Sequence, residues 1–157
     1  QLMENNVRFS VIGDMEKFDL SIQNEILDVI HKTKNNSGLN LNLALNYGSR
    51  QEIVEATKKL ADQAILGKIK INDIDENLFS TFLQTQNIAD PDLLIRTGGE
   101  FRVSNFLLWQ IAYTEIHITD CYWPDFTKKN LLNALDEYQK RERRFGKISP
   151  QIQINND

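Results

Sequence analysis

Arg96-Thr97-Gly98-Gly99-Glu100-Phe101-Arg102-Val103-Ser104-Asn105 is the densest chemical stretch of this 157-residue chain. It sets two arginines, two adjacent glycines and a serine hydroxyl between a strand end and an apolar run. Glycines let backbone N–H groups approach an anion, a helix N-terminus adds partial positive charge, and guanidinium forks fit phosphate oxygens bidentately. The stretch is a candidate phosphate or diphosphate cradle. A Gly-Gly turn flanked by two surface arginines is the alternative, because the spacing is neither a Walker loop nor a dinucleotide fingerprint. Glu100, Glu115, Asp120 and Asp125 lie nearby in sequence and are read at the same end of the sheet. Magnesium takes one or two carboxylates plus substrate phosphate oxygens, and Glu115 suits that role best by chemistry. Each acid is also readable as an ordinary solvated side chain. Asn46-Tyr47-Gly48-Ser49-Arg50 would bring an amide, a phenol and a third arginine to the same rim, or simply form a turn into a capped helix. The basic run Arg141-Glu142-Arg143-Arg144-Phe145-Gly146-Lys147 is either the solvated end of a helix, where cations suit the dipole, or a second anion contact.

Other chemistries are disfavoured. His31 and His117 are far apart in sequence, with no Cys or His at metal-ligand spacing. Cys121 is the single cysteine, so no intrachain disulfide forms, and no Ser-His-Asp order can be drawn. Covalent catalysis is therefore not expected. The net charge is -4 and the pI about 5.2, a poor match to a phosphate backbone, so nucleic-acid binding is not expected either. Residues 128–147 nevertheless hold seven basic and three acidic side chains. Apolar runs such as Phe106-Leu107-Leu108-Trp109 fall far short of the roughly 20 residues that a membrane span needs. With 41% hydrophobic and 25% charged residues the composition is that of an ordinary globular domain, and nothing at the start resembles a signal peptide. A cytoplasmic protein is expected.

Positioning falls to alternating elements. Val7 to Ile12, closed by Gly13-Asp14, and Leu39 to Leu45, closed by Asn46-Tyr47-Gly48, read as strands. Phe18, Ile22, Ile26, Leu27 and Ile30 recur at helical spacing between them, and Asn36-Ser37-Gly38 is the stop. Ser49 with Glu52 three positions on forms a capping-box pattern that opens a second helix, ending before Gly67. A shorter helix is expected from about Ile74 to Leu83, strands over Asp92–Ile95 and Glu115–Thr119, a buried helix over Asn105–Tyr113, and a terminal helix from Thr127 to about Phe145. In that last helix Leu131, Leu132, Leu135 and Tyr138 share one side. Strands alternating with helices predict an α/β fold, a mostly parallel sheet flanked by helices, with ligands at the carboxyl ends of the strands. Residues 1–147 are read as one portion of a single domain, and 148–157, rich in Gln and Asn, as a mobile tail.

The sequence resembles the cis-prenyltransferase family, on Asn46-Tyr47-Gly48-Ser49-Arg50, Asp92 through Glu100, Arg102 through Gln110, Tyr113-Thr114-Glu115, Trp123-Pro124-Asp125-Phe126 and Arg143-Arg144-Phe145-Gly146. The resemblance covers nearly everything from Val7 to Gly146. It implies the family's fold and a bacterial type of activity: Z-elongation of farnesyl diphosphate by isopentenyl diphosphate to undecaprenyl diphosphate, the precursor of the lipid carrier for peptidoglycan units. It further implies that Arg96, Arg102 and Ser104 hold the diphosphate of isopentenyl diphosphate, that Glu115 helps ligate Mg2+, and that Arg144 and Gly146 reach the same diphosphate across a homodimer interface. Asn46, Tyr47, Arg50, Trp123 and Asp125 are supporting positions, and release of the product implies peripheral contact with a membrane. The family's N-terminal motif, His-x-x-Met-Asp-Gly-Asn-x-Arg-Trp, and the helices lining its tunnel do not occur here. On that resemblance the chain reads as a C-terminal portion, unable to turn over alone and exposing apolar surface. A non-catalytic partner subunit and a generic diphosphate-binding α/β module remain the alternatives.

Overall fold

A computed structural model describes residues 1–141, in two compact units. The first comprises Gln1–Ala89 together with Asn105–Leu107; the second holds Asp90–Ser104 and the chain from Leu108 onward.

In the first unit, β1 (Arg8–Gly13) and β2 (Asn40–Leu45) pair in parallel, Arg8 opposite Asn40 and Gly13 opposite Leu45. A parallel pair needs a covering crossover, and α1 (Leu20–Thr33) supplies it. The end of α1 is tied to β1 through Thr33, 1% exposed, whose hydroxyl donates to Val29 O at 2.8 Å and accepts from the Phe9 N–H at 3.1 Å. Asn36 closes the following turn by donating to Val7 O at 2.8 Å, so the expected stop at Asn36-Ser37-Gly38 is real and is anchored. Helix α2 (Ser49–Ile65) buries Glu52, Ala56 and Leu60 on one stripe, and Val7, Ile12 and Leu83 complete the core of this unit. The shorter expected helix is realised as the five residues of α3 (Glu76–Ser80), with the Asp75 side chain accepting from the Leu78 N–H at 2.7 Å. Leu39, just before β2, and Leu41 and Leu43 within it are exposed.

In the second unit, β3 (Leu93–Arg96) and β4 (Glu115–Ile118) form another parallel pair, Leu93 opposite Glu115 and Arg96 opposite Ile118. The parallel character expected of the sheet holds, as two separate pairs. Helix α4 (Lys128–Gln139) starts at Thr127, whose N–H and hydroxyl both reach Asn130 Oδ1, at 2.9 and 2.6 Å. It buries Ala134, whereas Leu131, Leu132 and Leu135 are exposed, so the expected leucine side is not the packed one. The hydrogen bond that the Lys140 ammonium donates to Asp136, one turn back, holds it above its ordinary pKa.

The buried helix expected over Asn105–Tyr113 does not form; the segment is a succession of turns and bends. Ser104, Asn105 and Leu107 have φ of 49°, 62° and 48°, a left-handed backbone that a right-handed helix excludes. Among the described residues no helix is long and apolar enough to cross a membrane. The terminal helix beyond residue 141 and the expected tail lie outside the described residues.

Candidate active site

The arginine loop leaves the carboxyl end of β3. Parallel pairing puts Leu94 and Arg96 on one face with Ile116 and Ile118, since alternate residues of a strand share a face. With Glu100, Phe101, Arg102 and Val103 they line a groove of about 240 Å³. Its Arg96 Nε is buried and has no hydrogen-bond partner among the described residues. An orphaned guanidinium donor is costly unless a ligand accepts from it, so the groove combines a cationic group able to take an anion with apolar walls. Arg102 is ion-paired to Glu100 and is more exposed than its partner.

The glycines do something other than expected. Gly98 N–H donates to Cys121 O at 3.0 Å and Gly99 N–H to Thr119 O at 2.9 Å, so neither is available to cradle a phosphate. Their φ values of 79° and 67° fold the loop against residues 119–121, and a Cβ on Gly99 would stand 2.8 Å from Asp120 Oδ1. With no helix after the loop, no helix dipole contributes either. An anion reaching this unit would therefore meet guanidinium groups rather than the loop's glycine amides. Ser104 is exposed, with its left-handed φ, just beyond the groove lining.

Glu115 stands apart from that groove. It opens β4 at the end opposite Arg96, three residues away or about 10 Å along the strand, and faces the other side of the pair. Placing all the acids at one end of the sheet was therefore incorrect for Glu115. Its Oε2 accepts from Arg141 Nη1 at 3.0 Å, and the same nitrogen donates to Ile116 O at 2.9 Å. His117 on the same face meets Glu137 of α4, Nδ1 to Oε2 at 2.8 Å. Asp125 lies exposed in the turn Trp123–Asp125, where Trp123 stacks on Phe126 with ring centroids 6.0 Å apart.

Asn46 and Arg50 belong to the first unit. Asn46, at φ 47°, lines a cavity of about 260 Å³ with Gly13, Asp14, Tyr47, Glu52 and Gln84. The acids there make it a poor diphosphate pocket by itself, and Arg50 is exposed outside its lining. The capping box read from Ser49 and Glu52 is not formed. The Glu52 carboxylate, 3% exposed, is engaged elsewhere, accepting from the Tyr47 hydroxyl at 2.6 Å and the Gln84 N–H at 2.9 Å. Asn105 takes over the helix start, its backbone oxygen accepting from the Ser49 N–H at 2.8 Å and its Oδ1 from the Arg50 N–H at 2.9 Å. Gly48 permits that approach, because a Cβ there would lie 2.8 Å from Asn105 Nδ2. No local signal could have exposed a cap 55 positions downstream. Asn105→Ala should lose about 1 kcal/mol, some 2–4 °C in thermal unfolding, while Asn105→Asp retains the cap; equal midpoints for all three proteins would refute the assignment. Arg144 and Gly146 lie outside the described residues.

Residues 1–146 match the prenyltransferase family model described as "Putative undecaprenyl diphosphate synthase". The chain belongs to the cis-prenyltransferase family. Relatives within it include the isoprenyl transferase of Bacillus subtilis, 50% identical over 148 residues, which are 94% of this chain and 57% of that protein. The isoprenyl transferase of Chlamydia pneumoniae is 53% identical over 146 residues, 93% of this chain and 58% of the relative. Among solved structures, lavandulyl diphosphate synthase from Lavandula x intermedia, in complex with dimethylallyl diphosphate, superposes with a TM-score of 0.88 at 41% identity. The match covers 92% of this chain and 62% of that one. A protein from Campylobacter jejuni described as a probable undecaprenyl diphosphate synthase gives 0.81 at 36% identity, over 94% and 66%. The chain thus spans less than three fifths of the length of each of these two isoprenyl transferases.

Proposed function

We propose that the chain serves Z-prenyl elongation by holding the isopentenyl diphosphate half of the reaction, with farnesyl diphosphate as the allylic partner and undecaprenyl diphosphate as the product. The observation that carries this is the Arg96 groove. It combines an unsatisfied buried guanidinium nitrogen and Arg102 for a diphosphate with Leu94, Val103, Ile116 and Ile118 for a small branched alkene. Ionisation of the allylic diphosphate leaves a carbocation, the isopentenyl alkene attacks it to form the new carbon–carbon bond, and loss of a proton sets the cis double bond. No nucleophilic side chain is required, so the work of this chain is to orient the alkene and to hold charge. Arg96 and Arg102 bind the diphosphate, which needs Arg102 to leave Glu100, and Ser104 donates its hydroxyl at the edge. Asn46 and Arg50 of the first unit are supporting positions on the family resemblance alone.

Glu115 suits magnesium as a hard oxygen donor, its side chain 28% exposed. Among the described residues no three His, Cys, Asp or Glu side chains gather into a ligand set, and Glu115, ion-paired to Arg141, faces away from the Arg96 groove, so the donors present do not by themselves fit a magnesium site. Magnesium, when bound, offsets diphosphate charge. Homodimer formation is supported by the exposed Leu131, Leu132 and Leu135 of α4, and the family resemblance, not a described contact, is the ground for giving Arg144 and Gly146 a part in diphosphate binding. Exposed Phe101, Tyr122 and Trp123 suit peripheral membrane contact by a cytoplasmic enzyme whose product is a lipid. The family's N-terminal aspartate motif is not among these residues, so the chain alone is expected not to elongate. A single-turnover mixture of the chain with farnesyl diphosphate, labelled isopentenyl diphosphate and magnesium should yield no longer prenyl product. A C20 or longer product would refute that part of the reading.

A further inference from the structure

Glu100 is the one carboxylate among the described residues that line the groove, beside Arg96 and Arg102. Its place is fixed by the two residues before it, because the Gly98 and Gly99 N–H groups donate to Cys121 O and Thr119 O and pin the loop where Glu100 begins. From there its carboxylate is ion-paired to Arg102, two residues on. Two arginines against one acid leave a single uncompensated positive charge in the lining, and with Arg102 engaged it is that of Arg96, whose Nε has no partner among the described residues. A ligand with one phosphoryl group is served by Arg96 alone. A second phosphoryl group tethered to the first reaches Arg102 at high effective concentration, where it offers more charge and a bidentate edge. It competes there with a carboxylate whose hold is slight, the Arg102 and Glu100 side chains being 65% and 41% exposed. We propose that Glu100 is a selectivity latch: its carboxylate holds Arg102 where a second phosphoryl group would bind, so that Arg102 is recruited only by a ligand that carries two. This rests on the Arg96 groove being the diphosphate site.

The test titrates isopentenyl monophosphate and isopentenyl diphosphate, which differ by one phosphoryl group, into the full chain and reads the ratio of their affinities. Glu100→Gln should bind the monophosphate about tenfold tighter or more, because Arg102 is then free to meet it. It should gain less on the diphosphate, so the preference for two phosphoryl groups shrinks. Adding Arg102→Gln to Glu100→Gln should return the monophosphate to the parent's affinity. A carboxylate that acted only through the shape of the loop would move both ligands alike when removed. An unchanged ratio in Glu100→Gln, or a monophosphate gain that survives the second substitution, would overturn the inference. Arg96→Met separates the two levels. If it leaves both ligands bound as in the parent, the groove is not the diphosphate site and the inference falls with it, whereas weakened binding there with an unchanged ratio in Glu100→Gln defeats the inference alone.

Discussion

Replacing Arg96 by methionine is expected to weaken isopentenyl diphosphate binding about 100-fold or more while leaving the fold as stable as before, or more so. Both halves follow from the same atom. The Arg96 Nε is buried without a partner among the described residues, so the folded protein carries the cost of a desolvated donor, about 1–3 kcal/mol and more for a charged group. A diphosphate oxygen removes that cost on binding and adds a charge-assisted bond, which together account for two or more orders of magnitude. Methionine fills the space beside Leu94 and Ile118 with an apolar chain and leaves nothing unsatisfied. Calorimetric titration and thermal unfolding of the two proteins read the two halves separately. A variant that melts much lower yet binds unchanged would show Arg96 to be a structural residue and would remove the groove from the functional reading.

Gly13→Ala is expected to have the largest effect on stability. Gly13 ends β1 at φ +112°, where side chains are disfavoured whatever the space, and a Cβ there would stand 1.9 Å from Leu45 O and 2.9 Å from Leu45 C. Those are backbone atoms of the strand paired with it, so nothing can rotate away. The collision must be relieved by separating the carboxyl ends of β1 and β2. That separation breaks the Gly13 N–H bond to Gln84 Oε1, 2.5 Å long, and displaces Asn46 and Tyr47. A loss of about 3–4 kcal/mol is the expected scale, some 10 °C in a chain of this size. Gly67→Ala is the control, since its φ is also positive at 69° but nothing lies within 4 Å of its Cβ position. Its loss should be about 1 kcal/mol, the left-handed penalty alone. Equal losses at the two positions would mean that the approach of Leu45 is not what requires the glycine.

What the sequence revealed and what it hid divide along a physical line. Strands β1 and β2 were legible because their apolar runs are closed by Gly13-Asp14 and Asn46-Tyr47-Gly48, which are local signals. Helix α1 was legible for the same reason, its periodicity ending at an anchored Asn36. The arginines were legible as a cluster, and the groove does hold Arg96 and Arg102 together. Phe106-Leu107-Leu108-Trp109 misled because an apolar run looks alike in a helix and in a packed turn, and only the left-handed residues before and within it decide. Gly98 and Gly99 misled because a sequence does not say which carbonyls will take their N–H groups. Glu52 and Arg141 each hold a partner distant in sequence, Gln84 and Glu115, for which the local pattern offers no clue.

Helix α2 is closed at its start by a residue made long after it. Asn105 supplies the acceptors for the Ser49 and Arg50 N–H groups across 55 positions. At about 5–20 residues per second a ribosome needs roughly 3–11 s to travel that distance. Throughout that interval the nascent helix has an open first turn, and the loop ending at Ser104 does not yet exist. The first turn of α2 is therefore closed only after Asn105 has been made, so the order of synthesis leaves the helix start to be completed last.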